Sequence, residues 1–186
     1  RYGLSTPLTS YYEHSKWAKL PFLLRTLKEK DVALVSEAGS PGLSDPGYEL
    51  VVKAVEEGIL VVPVPGPSVV TTALAASGLP TDQFLYLGYL PRRRGQRRLA
   101  LQEVSGESRT LVIFEAPHRL RDSMEDIRVV LGDRRLAVCR ELTKIYEEVF
   151  RGTVSQALEH FTEPRGEFTL VIAGSEETVP AEARNQ

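Results

Sequence analysis

Apolar positions recur along this chain with two different spacings, and the switches between them mark out its elements. Over residues 15–30, Trp17, Leu20, Leu23, Leu24 and Leu27 fall at helical intervals with Lys and Glu on the opposite side, which predicts an amphipathic helix. Pro21 falls inside that pattern and is expected to end a first short turn or kink the helix. Residues 32–35 are wholly apolar, the pattern of a strand buried on both faces. A helix is predicted over 48–57, with Val51, Val52 and Val55 on one side and Gly58 as its stop. Residues 59–64 read as a second buried strand. The turn Pro65-Gly66-Pro67-Ser68 follows, with Ser68 the expected N-cap of a helix over 69–77 that Gly78 and Pro80 end. Strand, loop and helix thus occur twice, with connections suited to right-handed crossovers in a parallel sheet. Two loops that both follow strands would lie at the same carboxyl edge and face one ligand.

From residue 84 onward the elements shorten. Residues 84–90 alternate aromatic and aliphatic side chains, as a strand does, and Pro91 with the arginines after it breaks the pattern. Strands are predicted over 110–114, 135–140, 147–151 and 168–173, and helices over 96–104, 119–131 and 153–161. Strands this closely spaced suggest a mixed, partly antiparallel sheet. The expected division is an N-terminal parallel α/β domain at 1–90, a C-terminal mixed-sheet α/β domain at 91–175 and a frayed polar tail at 176–186. The chain opens at Arg1 without a methionine, inside what reads as a helix end, so the first domain is expected to be truncated at its start.

The loop Ser36-Glu37-Ala38-Gly39-Ser40-Pro41-Gly42-Leu43-Ser44-Asp45-Pro46-Gly47 stands out. Asp45 as a helix cap and Pro46 at the first helical position explain its end. Residues 38–43 remain unexplained, because most connections in compact domains run only about 4–6 residues. Such glycine-rich backbone lets a ligand approach the main chain closely.

Composition narrows the chemistry. A formal net charge of −2 excludes a globally basic nucleic-acid binder but not a local patch. Arg92, Arg93, Arg94, Arg97 and Arg98 form one dense basic run with no interleaved carboxylate, which points to phosphate contact and so to RNA. Tyr86 and Tyr89 nearby read first as half-buried strand residues and second as stacking partners for an unpaired base. One cysteine, Cys139, excludes an internal disulfide framework and fits a reducing cytoplasm. No apolar run approaches the ~20 residues of a membrane span. His14, His118 and His160 are too scattered to predict a metal site. The dinucleotide glycine fingerprint, the lysine-bearing phosphate loop and the serine-hydrolase elbow are all missing, so hydride transfer, phosphoryl transfer and serine hydrolysis lose weight.

Five ordered motifs carry a resemblance. The 36–47 loop resembles the S-D-A-G-T-P-G-I-S-D-P-G stretch of the ribosomal RNA small subunit methyltransferase I family. Val62-Pro63-Val64-Pro65-Gly66-Pro67-Ser68, with Ala75-Ala76-Ser77-Gly78-Leu79-Pro80, resembles its second motif, and Phe114-Glu115-Ala116-Pro117-His118-Arg119-Leu120 its third. Arg140-Glu141-Leu142-Thr143-Lys144 and Arg165-Gly166-Glu167-Phe168 resemble two more. The resemblance implies a tetrapyrrole-methylase-like fold, two α/β domains with S-adenosylmethionine in a cleft between them. It implies 2′-O-methylation of a cytidine ribose in the decoding region of small-subunit (16S) ribosomal RNA, on the 30S subunit, by a cytoplasmic homodimer. Cofactor contacts are implied at Ala38, Gly39, Ser40, Leu43, Ser68, Val69, Phe114, Glu115 and Leu142. Glu37 and Ser40 depart from the pattern, and the family's first strand and its C-terminal continuation lie outside the matched residues.

The cofactor is a sulfonium cation without phosphate, so backbone carbonyls, hydroxyls and an apolar wall suit it better than a lysine-bearing glycine loop. In-line transfer to a 2′-hydroxyl gains from positioning and from a general base. Glu115, Glu141 and Lys144 are the candidates, with Glu115 favoured as catalytic residue for its place at the predicted sheet edge. Two other readings stay open: a tetrapyrrole (corrin or sirohaem) methyltransferase, and a non-catalytic RNA- or nucleotide-binding fragment.

Overall fold

The computed structural model describes residue 3 and residues 5–36 and 39–175. The chain divides into two compact units, 1–68 and 69–186, each described separately below. The division expected at 90/91 falls inside the second unit, because the strand before it pairs with the strand after it. The expected helix end over residues 1–4 and the polar tail lie largely or wholly outside the described residues.

In the first unit, helix α1 (Lys16–Leu27) packs on helix α2 (Tyr48–Glu56). Leu20 and Leu23 of α1 bury against Leu50 of α2, with Tyr11, Leu24 and Leu27 around them. Pro21 sits inside α1, and Trp17 lies outside the core, 64% exposed. The buried face of α2 is Leu50 and Ala54 rather than the expected valines. A single flanking helix, α1, covers only one stripe of α2. Helix α2 ends as expected, with the Gly58 N–H donating to the Val55 carbonyl and the Ile59 N–H to that of Ala54 at 2.8 Å, a Schellman arrangement with Gly58 at φ 70°.

Two expectations for this unit fail. Residues 32–35 and 59–64 form no strand and pair with none among the described residues, and Val35, Leu60, Val62 and Val64 are exposed. An apolar run states a preference for burial, but a strand exists only where a partner completes its ladder. The shared carboxyl edge expected for the two loops therefore has no counterpart in the described residues. The start of α2 also differs: its N-cap is Gly47, and Asp45 makes no cap.

The second unit is a five-stranded sheet in the order β1-β2-β5-β3-β4: β1 (Phe84–Tyr89), β2 (Thr110–Glu115), β3 (Arg135–Arg140), β4 (Glu148–Thr153) and β5 (Phe168–Ile172). Only the β1–β2 pair is parallel. Side chains alternate between two cores. Leu111, Ile113, Leu136, Val138, Leu170 and Ile172 face one side, where helices α4 (Arg94–Glu103), α5 (Leu120–Leu131) and α6 (Val154–His160) supply Leu101, Met124, Ile127 and Ala157. Val112, Ala137, Cys139 and Val171 face the other, under Val70, Ala73 and Leu74 of helix α3 (Val69–Ser77). Burial on both faces explains why these strands read as near-continuous apolar runs. Helix α6 begins with a capping box: Gln156 N–H donates to Thr153 Oγ1, and Thr153 N–H donates to Gln156 Oε1 at 2.9 Å.

Candidate functional site

In the first unit, the 36–47 loop is built on glycine. Gly39, Gly42 and Gly47 all have positive φ, at 74°, 80° and 146°. Gly47 is sterically required as well: a Cβ there would meet Leu34 Cδ2 at 2.8 Å and the Gly42 nitrogen at 3.1 Å. That close packing folds the loop back on itself at the start of α2. Nothing approaches the corresponding position at Gly39, so the main chain there is open on that side. The Gly39 carbonyl accepts from Ser36 Oγ at 3.2 Å, and the Ser40 carbonyl from Leu43 N–H. Gly39, Ser40 and Leu43 are exposed, Ser68 is half-buried, and Ala38 lies outside the described residues.

In the second unit, β2 points Phe114 and Glu115 to opposite faces. Phe114 lies with Leu142 against the core beneath α3, and Val69 opens that helix. The structure thus gathers Val69, Phe114 and Leu142 on one side of the sheet. Leu142 is held there by unusual backbone: its neighbours Glu141 and Thr143 have φ of 47° and 68°, a costly conformation for side-chain-bearing residues. Glu141 Oε1 accepts from the Glu167 N–H at 2.9 Å and from Lys144 Nζ at 3.0 Å, and Lys144 also reaches Glu167 at 2.8 Å. Lys144 Nζ and the Glu167 N–H hold the Glu141 carboxyl below its ordinary range, and Glu167 and Glu141 raise Lys144. Both side chains thus help to hold this loop.

Glu115 is likewise occupied. Its side chain is fully buried on the α5 face, where one oxygen accepts from Ser123 Oγ at 2.5 Å and the other from the Ala116 N–H at 2.9 Å. Arg119 pairs with it at 3.3 Å and also donates to the Leu90 carbonyl at 2.7 Å. The carboxylate ties the end of β2 to α5 and to the β1–α4 connection. The Glu115 carboxylate, favoured above as the general base, is thus enclosed and accepts from three donors at the turn after β2.

The arginine run is divided by a residue that the sequence pattern does not single out. Asp126 of α5 is completely buried, and Arg94 (3.1 Å), Arg97 (2.7 Å) and Arg98 (2.6 Å) converge on its two oxygens. Burial pushes the Asp126 carboxyl up, but hydrogen bonds from Arg98, Arg97 and Arg94 outweigh it, and the group lies below its ordinary value. Arg97, expected above among the RNA contacts, is buried with its guanidinium on Asp126. Arg92 and Arg93 are exposed and have no ion-pair partner among the described residues. Three guanidinium groups on one carboxylate leave the cluster with a net positive charge. The signals for Asp126 were its place in an apolar helical stripe, beside Met124 and Ile127, and the surplus of arginine upstream. Cys139 is buried, and burial raises its thiol to about 11, so it is chemically quiet.

The tetrapyrrole (corrin/porphyrin) methylase family model matches residues 11–158. The fold agrees: the structure of uroporphyrin-III C-methyltransferase from Thermus thermophilus, complexed with S-adenosylhomocysteine, superposes with a TM-score of 0.61 at 19% identity, covering 88% of this chain and 75% of that one. The class is therefore that of the tetrapyrrole methylases. Two curated relatives, each named ribosomal RNA small subunit methyltransferase I, narrow it further. That of Halalkalibacterium halodurans is 48% identical over 184 residues, covering 97% of this chain and 64% of the relative. That of Thermotoga maritima is 45% identical over 179 residues, covering 95% of this chain and 80% of the relative. The chain belongs to the ribosomal RNA small subunit methyltransferase I family. It spans about two thirds of the length of the first of these relatives.

Proposed function

We propose that this chain is the core of an S-adenosylmethionine-dependent methyltransferase acting on a cytidine 2′-hydroxyl of small-subunit ribosomal RNA. The observation that carries the reading is the 48% and 45% identity to relatives of that name along nearly the whole chain. S-adenosylmethionine supplies an electrophilic methyl group on a sulfonium and presents no phosphate. The residues present suit such a group: open backbone at Gly39 and Ser40, the Leu43 side chain, Ser68 and Val69 before and at the start of α3, and the apolar Phe114 and Leu142. Ala38 and the backbone of Glu115 complete the proposed set. Arg92 and Arg93, with the outer parts of Arg94 and Arg98, hold RNA phosphates. Glu115 positions the turn after β2, and solvent or a group outside these residues takes the hydroxyl proton. The working form is proposed to be a cytoplasmic homodimer engaging the 30S subunit. No helix of the described residues is long and apolar enough to cross a membrane.

The test is label transfer from methyl-labelled S-adenosylmethionine to purified small-subunit RNA, with a porphyrinoid acceptor in parallel. Label in the RNA, lost when the target ribose is 2′-deoxy, is expected. Label in the porphyrinoid alone would move the reading to tetrapyrrole methylation, and label in neither, with RNA still bound, would leave a binding module.

A further inference from the structure

Tyr89 closes β1, an edge strand, and is 54% exposed. A regular strand would not place it where it is. The β1–β2 register slips between Tyr86 and Gly88, and Gly88 has φ 63°, so β1 carries a bulge. That extra residue puts Tyr86 and Tyr89, three positions apart, on the same face. Both then flank Phe114 edge-on, with ring centroids at 5.1 Å and 5.7 Å and interplanar angles of 68° and 70°. Tyr86 is half-buried in the core under α3, Phe114 leans on it, and Tyr89 leans on Phe114. An exposed aromatic ring is thereby held rigid, with little side-chain entropy left to lose when a flat ligand stacks on it. Arg92 and Arg93 follow three and four residues later, exposed and without ion-pair partners among the described residues.

We infer that Tyr89, buttressed by Phe114 and Tyr86, is a stacking platform for an unpaired base of the RNA substrate, with Arg92 and Arg93 holding the adjoining phosphates. This rests on the RNA reading above and deepens it. An aromatic face with cations close by in the chain is the combination that binds single-stranded nucleic acid, because every base offers a π-face and every linkage a charge. The platform adjoins Phe114, a proposed cofactor contact, so a base stacked there brings its own ribose to the same side of the sheet. The bulge has a purpose in this reading: without it Tyr89 would face α4 and α5.

The experiment compares Tyr89→Ala, Tyr89→Phe and the double variant Arg92→Ala/Arg93→Ala in binding two probes. One is a short unpaired cytidine-containing oligoribonucleotide, the other the same sequence as a duplex. Tyr89→Ala is expected to weaken the unpaired probe about ten-fold, with an unchanged salt slope and unchanged duplex binding. Tyr89→Phe keeps the ring and is expected to retain the affinity. The arginine pair is expected to weaken both probes and to flatten the salt slope by about 1.4, the value for two phosphates on a single strand. Full affinity in Tyr89→Ala, or an equal loss on both probes, overturns the platform while leaving the RNA reading intact. Failure of the unaltered protein to bind either probe overturns both.

Discussion

Asp126→Asn is expected to lower the melting temperature of the second unit by about 10 °C. Asp126 is fully buried, and Arg97, its most buried partner, keeps only 4% of its side chain exposed. Removing one member of a buried pair leaves an uncompensated charge and costs about 3–5 kcal/mol. At roughly 2–4 °C per kcal/mol for a chain of this size, that reaches the stated shift. Asparagine preserves the shape, so packing does not account for the loss. Arg94 and Arg98 lose the same anchor, and the exposed rim of the cluster disperses. The acid limb supplies a second readout. Because the folded-state carboxyl lies below its ordinary value of 3.8, Asp126 contributes stability that is complete above the unfolded pKa and is lost as pH falls through the folded one. The unaltered protein therefore weakens below about pH 4, and the variant shows a shallower decline there. A thermal melt across pH 2–7 measures both effects. An unshifted melt at pH 7 would show that the arginines do not depend on this carboxylate.

Glu115→Gln carries the second large effect and separates two roles. If Glu115 positions the turn after β2, the glutamine variant loses stability, because the amide keeps one accepting oxygen where the carboxylate used two, for the Ala116 N–H and Ser123 Oγ, and Arg119 loses its counter-charge. The expected cost is about 3 kcal/mol. Methyl transfer by the folded variant at low temperature is expected to stay within about ten-fold of the unaltered rate, since general-base removal costs about 10²–10⁴-fold and positioning less. An intact melt with transfer lost by a hundred-fold or more would restore Glu115 as the base. The variant also tests a route through the fold: Arg119 holds the Leu90 carbonyl, so a released Arg119 loosens the connection that carries Tyr89, Arg92 and Arg93.

The second unit was largely legible in the sequence because its elements bury both faces. β3 runs from Arg135 to Arg140 as expected, since Leu136, Ala137, Val138 and Cys139 all find cover. The bulge at Gly88 was not legible, because a glycine in an alternating run looks like a weak point, and only the register with β2 shows the slip. The arginine run was visible as charge, but the carboxylate that divides it lies 28 residues beyond Arg98 and reaches it only through the packing of α4 on α5. In the first unit, 32–35 and 59–64 show how apolar periodicity overreaches: it records what a segment prefers to bury and says nothing of whether a partner is there. The family motifs, by contrast, were legible as short local strings, since each turn's backbone is set by its own glycines and prolines, as at Gly47.

The cofactor is the hinge of the whole account, and one melt measures it. S-adenosylhomocysteine at a hundred times its dissociation constant should stabilise the protein by about 2.7 kcal/mol, a rise of several degrees, while ATP at the same concentration leaves the melt unchanged. No shift with S-adenosylhomocysteine at any concentration, or an equal shift with ATP, would contradict the methyltransferase reading.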